Sequence, residues 1–288
     1  MIKSSELILN PDGSVYHLNL KPEHIAHDII FVGDQNRVEK ITKNFEKIEF
    51  STQKREFKTQ TGIFKGKRIT VMSTGIGPDN IDIVMNELDA LVNIDLKTKM
   101  PKENLTTLNI IRIGTSGSLQ ANIPCDSFVL NTYGLGVDNM LRSYCIDEIT
   151  SKELEDSFIK HTNWDAKKGR PYAVKCSKKL EKIIECEQMF KGITATAGGF
   201  YGPQGRVLRL QIQDEELNSK MDNFEFEGNR ITNLEMETAA IYGLGALLGH
   251  ECLSLNAIIA NRANGTFSSD PYKAVDALID YVLDKLSL

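Results

Sequence analysis

Short apolar runs alternate with stretches of helical periodicity along the whole chain. Ile29-Ile-Phe-Val32 is an unbroken apolar run closed by Gly33-Asp34, which predicts a strand and a turn; Arg37–Lys43, next in line, predicts a helix. Lys67–Ser73 predicts a second strand, ended by Gly75-Ile-Gly77 and followed by a helix over Ile81–Leu91. Asn109–Ile113 predicts a third strand, with Gly114-Thr-Ser-Gly117 as its turn. Asp126–Leu130, Gly192–Ala197 and Glu251–Ile259 predict further strands, while Met236–Leu248 and Tyr272–Leu286 carry apolar residues at helical spacing. Strand, turn and helix in repetition give an α/β class: a single-domain, three-layer αβα arrangement around a central mixed sheet. No repeat and no Pro/Gly/Ser-rich linker divides residues 1–288, so one domain is expected throughout. Asn93–Asn104, Tyr133–Arg170 and Asp214–Arg230 look inserted or mobile, the first and third being polar with weak periodicity.

Composition narrows the classes. With 34 Lys+Arg against 39 Asp+Glu, the 288 residues carry a net charge of -5, and 41% are hydrophobic. That is too apolar and too weakly charged for a disordered chain. The mild acidity argues against bulk capture of nucleic acid but leaves room for a local Arg cluster around a small anion. No stretch approaches the roughly 20 apolar residues of a membrane span, and Met1–Glu6 has no apolar signal-peptide core. The five cysteines (Cys125, Cys145, Cys176, Cys186, Cys252) are odd in number and form no C-x-x-C pair, so reduced thiols and a cytoplasmic location are expected. His17, His24, His27, His161 and His250 fall in no H-E-x-x-H or Cys/His pattern, and no metal is expected.

Five segments carry candidate chemistry. Val32-Gly-Asp-Gln-Asn-Arg37 sets backbone amides, a helix N-terminus and Arg37 at one spot, either an anion site or an ordinary strand-to-helix turn. Ser73-Thr-Gly-Ile-Gly-Pro-Asp-Asn80 begins like a dinucleotide fingerprint, but Asn80 replaces the third Gly and Pro78 interrupts the helix start; a close-packing turn fits better. Arg112 stands between Ile111 and Ile113, where a guanidinium needs anionic partners unless its head snorkels out at a sheet edge. With Thr115 and Ser116 beyond it, Arg112 suits a phosphate. Asn233-Leu-Glu-Met-Glu-Thr238 opens the apolar helix with two carboxylates; one can cap the helix and the other accept a vicinal diol, unless both are first-turn acids. Gly198–Arg206 is a loop whose aromatics, Gln204 and Arg206 could hold a planar heterocycle, or merely anchor a surface loop.

Taken in order, V-G-D-x-x-R-V-E-K-I, R-E-F, S-T-G-I-G, I-I-R-I-G-T-S-G, F-Y-x-x-Q-G-R, N-x-E-M-E-T and A-N-R resemble the nucleoside phosphorylase superfamily of the uridine phosphorylase type, from about His17 to the final helix. The resemblance implies reversible phosphorolysis of uridine to uracil and ribose 1-phosphate, with inorganic phosphate as co-substrate and no cofactor. It implies Gly33, Arg37, Arg55, Arg112 and Thr115 around phosphate, and His17, Glu235, Met236 and Glu237 around ribose. Around the base it implies Ser116, Gly117, Phe200, Gln204, Arg206, Ile259 and Arg262, with Arg112, Arg206 and Glu237 carrying the catalysis. Arg55 and His17 would come from a neighbouring subunit, so a homo-oligomer (a dimer, or dimers built into a hexamer) with shared sites is implied. Purine relatives carry an Asp after the late strand as an acid for the ring; Asn261-Arg262 stands there instead. Glu56 and Ile76 match part of an interfacial cation site, but Asn80 replaces its Ser, so the resemblance does not extend to that ion. The alternatives are a broader pyrimidine or purine nucleoside phosphorylase, and a non-catalytic nucleoside-binding protein of the same fold.

Overall fold

The computed structural model describes residues 1–287. In chain order its strands begin with β1 (Asp28–Val32), β2 (Lys47–Lys54), β3 (Phe57–Phe64), β4 (Lys67–Ser73), β5 (Ile94–Asp95), β6 (Met100–Pro101) and β7 (Asn109–Ser118). They continue with β8 (Phe128–Gly136), β9 (Tyr172–Lys175), β10 (Phe190–Thr196), β11 (Glu225–Phe226), β12 (Asn229–Glu235), β13 (Glu251–Asn261) and β14 (Thr266–Phe267). The helices are α1 (Gln35–Thr42), α2 (Pro78–Asn93), α3 (Lys152–Thr162), α4 (Lys178–Ile184), α5 (Leu217–Asp222), α6 (Thr238–Leu248) and α7 (Pro271–Leu286).

The chain adopts the mixed α/β class, with one central mixed sheet. β1 is buried at every position and lies parallel between β4 and β7, which is why its apolar run was continuous rather than alternating. β3 and β2 extend that side as antiparallel strands, and β2 forms the polar edge. On the other side β7 pairs parallel with β13, β13 antiparallel with β8, and β8 and β12 each parallel with β10. β12 then pairs antiparallel with β7 through Asn233↔Ser118 and Leu234↔Gly117. That last pairing closes β7, β13, β8, β10 and β12 into a ring within the sheet. α6 is apolar all round and buried along most of its length, packed on β8, β10, β13 and α2.

Several expectations are corrected. Gly114–Gly117 is no turn: β7 runs on to Ser118, because β13 and β12 take up its backbone groups on both sides. Pro78 does not interrupt α2 but opens it at the first position, where its missing N–H costs nothing. α6 starts at Thr238 rather than Met236, since Asn233–Glu235 finishes β12. Tyr133–Arg170 is not an insertion as a whole: Tyr133–Gly136 completes β8, and Leu154 and Phe158 of α3 join Leu217 and Met221 of α5 in a second apolar core. α5 and β11 occupy the expected Asp214–Arg230 insertion. Asn93–Asn104 holds the β5–β6 hairpin, where Asp95 accepts from the amides of Lys97 and Thr98, both at 2.9 Å.

The start of α6 is held tightly against β8. A Cβ at Gly134 would come within 2.6 Å of Ala239 Cα and 2.8 Å of its N, both backbone atoms that cannot swing aside. Gly134→Ala should therefore cost about 1–3 kcal/mol, the range for overpacking a close-packed contact. The check is the denaturant midpoint; an unchanged midpoint would mean that the strand and helix can separate freely.

Candidate active site

The carboxyl ends of β1, β4, β7, β10, β12 and β13 meet around a cavity of about 860 Å³. This is the end of an open α/β sheet at which ligands bind. Gly33 and Arg37 line it from the β1–α1 turn, and Arg112, Thr115, Ser116 and Gly117 from β7. Glu235, Met236 and Glu237 line it from the β12–α6 junction, Ile259 from β13, and Phe200, Gln204 and Arg206 from the loop after β10. The sequence-predicted set thus converges on one place, with three exceptions described below.

Its centre is a buried charge cluster. Arg112 is 6% exposed, and its Nη2 donates to Glu237 Oε2 while lying 3.6 Å from Glu235 Oε2. The guanidinium folds back over Gly114, in the space a Cβ there would need; Asn256 Oδ1 also lies 2.6 Å from that position. Gly114 therefore marks a close approach rather than a bend. Burial pulls the Arg112 pKa down, but Glu237 and Glu235 outweigh it and hold the guanidinium charged. Burial pushes the Glu237 carboxyl up, against the opposing charge of Arg112. The Gly77 amide donates to Glu237 Oε1 at 2.8 Å, from a residue at φ 101° that suits glycine.

The two carboxylates divide their tasks. Glu235 caps α6: its Oε2 accepts from the amides of Glu237 and Thr238 at 2.8 Å each and from the Thr238 hydroxyl at 2.9 Å, and its Oε1 from Thr196 at 2.5 Å. Glu237 is left to Arg112, Gly77 and the cavity. Arg37 donates to the Ile113 carbonyl at 3.2 Å; burial, then the nearby Arg112 charge, lower its pKa. A second guanidinium beside the first, with Thr115 also in the cavity lining, makes this end attractive to an anion.

The other end is different. Arg206 stacks on Phe200, 3.8 Å from the ring centroid, and donates to Gln204 Oε1. Arg262 lies outside the cavity lining: its Nη1 donates to the Gln204 carbonyl at 2.8 Å, tying the loop to β13. Burial, and then Arg206, lower the Arg262 pKa to about 10. Among the described residues, neither Arg206 nor Arg262 has a carboxylate partner within ion-pair distance. Asn261 is fully committed, donating to the carbonyls of Gln120 (2.9 Å) and Ile123 (2.7 Å) and accepting from the Asn264 amide (2.8 Å).

His17 and Arg55 do not reach this cavity. Glu87 of α2 binds the backbone amides of His17 and Leu18, and its Oε1 lies 2.6 Å from His17 Nδ1. Arg55 forms the β2–β3 turn at φ 55°. Sequence reasoning missed Gly77, Asn256, Asn131 and Asn233. Asn131 and Asn256 carried the signal that exposed Arg112, a polar residue inside an apolar strand. Among the described residues no group of three His, Cys, Asp or Glu side chains could hold a metal ion, and no helix is long and apolar enough to cross a membrane.

A family model described as the phosphorylase superfamily matches residues 28–280. The chain is 26% identical to a uridine phosphorylase of Thermococcus kodakarensis over 92% of its own length and 83% of that protein's. It is 31% identical to a DeoD-type purine nucleoside phosphorylase of Alkaliphilus metalliredigens, over 83% and 84% of the two chains. A nucleoside phosphorylase of Trypanosoma brucei that shows uridine phosphorylase activity superposes with a TM-score of 0.87 at 28% identity, over 98% of this chain and 99% of that one.

Beneath the loop after β10, Asp138 accepts from the Met140 amide at 2.9 Å and from the Tyr172 hydroxyl at 2.8 Å. Burial nevertheless raises its pKa. A carboxyl with a raised folded pKa is ionised more readily unfolded, so its ionisation works against the fold as pH climbs from the unfolded to the folded value. The stability of Asp138→Asn relative to wild type should therefore improve between about pH 4 and about pH 7. Thermal unfolding at the two pH values measures it; a pH-independent difference would contradict the burial effect.

Proposed function

The chain belongs to the phosphorylase superfamily, and on that premise we propose that it is a uridine phosphorylase acting in the cytoplasm, converting uridine and phosphate to uracil and ribose 1-phosphate reversibly and without a cofactor. The observation that carries the choice of base is the far end of the cavity. Two guanidiniums without carboxylate partners lie beside Gln204, and the pair where purine relatives are expected to keep an acid is Asn261-Arg262, with no carboxylate: Arg262 is held on the Gln204 carbonyl and Asn261 on the carbonyls of Gln120 and Ile123. Such a site suits a leaving group that departs as an anion and needs no proton from a carboxylic acid.

In this reading Arg37, Arg112 and Thr115, with the turn at Gly33, hold phosphate so that one of its oxygens faces the anomeric carbon. The bond from that oxygen forms as the bond to the pyrimidine nitrogen breaks, and the electron pair leaves with uracil. Positioning supplies much of the rate. Positive charge on the sugar is met by phosphate and by Glu237, whose oxygens keep free lone pairs for the ribose hydroxyls after Arg112 and Gly77 are served. Met236 packs beside the sugar, with Glu235 holding the α6 start. Negative charge on the base is met by Arg206 and Gln204, with Phe200, Ile259, Ser116 and Gly117 as walls and Arg262 fixing the loop.

A second copy of the chain is part of the proposal. Ile76, Phe200 and Phe267 stand 68%, 52% and 67% exposed around the cavity. Such an exposed apolar rim is a surface that association would cover. A neighbour seated there would bring its own Arg55 to phosphate and His17 to ribose.

The 31% identity to a purine nucleoside phosphorylase favours one other reading, a purine or broader substrate range. Purified protein assayed with uridine, thymidine and inosine, each with and without phosphate, should release uracil from uridine only when phosphate is present. Inosine as the better substrate, or no phosphate-dependent release, would overturn the proposal. Arg206→Ala should lower uridine turnover on the order of 10²-fold, as loss of one transition-state donor does. Its phosphate KM should stay near the wild-type value; equal damage to both would contradict a base-reading role.

A further inference from the structure

Inside the strand ring a chain of buried side chains leaves β7 at Arg112 and returns to β7 at Ser116. Arg112 Nη1 donates to Asn256 Oδ1 on β13 at 3.1 Å, and Asn256 Nδ2 to Asn131 Oδ1 on β8 at 2.7 Å. Asn131 Nδ2 donates to Asn233 Oδ1 on β12 at 2.8 Å, and Asn233 Nδ2 to Ser116 Oγ at 3.0 Å. β8 and β12 are not neighbours in the sheet, so the Asn131–Asn233 bond spans the interior of the ring. All three carboxamides are fully buried.

The direction of this chain is not free. A guanidinium has donors only, so Asn256 must turn its oxygen to Arg112 and its amino group to Asn131. The same constraint passes through Asn131 and Asn233 and ends by making Ser116 Oγ an acceptor. The Ser116 hydrogen then points elsewhere, and among the described residues no acceptor for it is found. Ser116 lines the cavity. We infer that Arg112, through Asn256, Asn131 and Asn233, fixes the Ser116 hydroxyl as a hydrogen-bond donor into the cavity, where it serves an oxygen acceptor of the bound nucleoside. The inference rests on the reading of this cavity as a nucleoside site. It makes the three asparagines positioning residues, and it ties the guanidinium proposed for phosphate to a contact with the other substrate.

The direction can be reversed without changing shape. Asn233→Asp keeps an oxygen for Asn131 but has nothing to donate, so Ser116 must turn its hydrogen inward and lose it from the cavity. Calorimetric titration of uridine, and separately of inosine, into wild type, N233D, Ser116→Ala and the double variant reads the effect. N233D and S116A should each weaken nucleoside binding about tenfold, the usual loss for one hydrogen bond of roughly 1.4 kcal/mol. The double variant should be no weaker than S116A, and inorganic phosphate affinity should stay within about twofold, a pattern that general loosening of the ring would not give. If N233D fails to fold, Asn131→Asp forces the same reversal one residue earlier. Unchanged nucleoside affinity in folded N233D or N131D, losses that multiply with S116A, or an equal loss of phosphate affinity would overturn the inference. Wild type that binds inosine but not uridine would sink the uridine reading alone, with the comparison carried through on inosine. Binding of neither would overturn both.

Discussion

Everything at the cavity hangs on one buried ion pair, Arg112 with Glu237. Neither group is stable there alone: a charge left unpaired in a protein interior costs about 3–5 kcal/mol, well beyond what an exposed pair contributes. The chain meets that demand from several elements at once. Gly114 makes room, Asn256 takes a second guanidinium nitrogen, Glu235 adds its charge at 3.6 Å, and Gly77 donates to the free carboxylate oxygen. The pair therefore staples β7 to the β12–α6 junction and to the turn before α2. These are the surfaces that the proposed reaction assigns to phosphate and ribose.

Closure of the ring of strands is the backbone counterpart of the same constraint. β12 reaches β7 at Asn233 and Leu234, immediately before Glu235, so the helix cap, the ion pair and the strand pairing occupy one short stretch of chain. Glu235 and Glu237 lie two residues apart yet do unlike work because a bend separates them. The first satisfies orphan amides at the start of α6. The second keeps lone pairs toward the cavity. At the opposite end Arg206 and Arg262, like Arg37, have no carboxylate within ion-pair distance among the described residues, and Phe200 rather than an acid lies against Arg206. In the proposed reaction Arg206 and Arg262 would meet the negative charge that moves toward the base.

Much of this was legible in the sequence where a residue broke its own local pattern. Arg112 inside an apolar strand, two carboxylates before an apolar helix, and an aromatic loop with Gln204 and Arg206 all pointed to the same cavity. The division between a capping and a free carboxylate was also readable. What failed were inferences that treat glycine and polarity as purely local. Gly114 and Gly117 suggested a turn, but two flanking strands far away in sequence supply the pairing that keeps β7 extended. Pro78 suggested interruption, although it fits a first helical position. Tyr133–Arg170 looked inserted, yet part of it finishes a strand and part packs a second core against residues beyond 214. His17 and Arg55 lie outside the cavity, and in the proposed assembly another copy of the chain places them.

The most direct measurement is a double-mutant cycle on phosphate-dependent uridine turnover, using Arg112→Lys, Glu237→Gln and the two together. If the buried pair acts as one unit, each single change collapses kcat/KM and the double variant is little worse than the poorer single, because the second change removes a partner already lost. If the two losses multiply, Arg112 and Glu237 contribute independently, and the pair is not what joins the phosphate and ribose ends of the site.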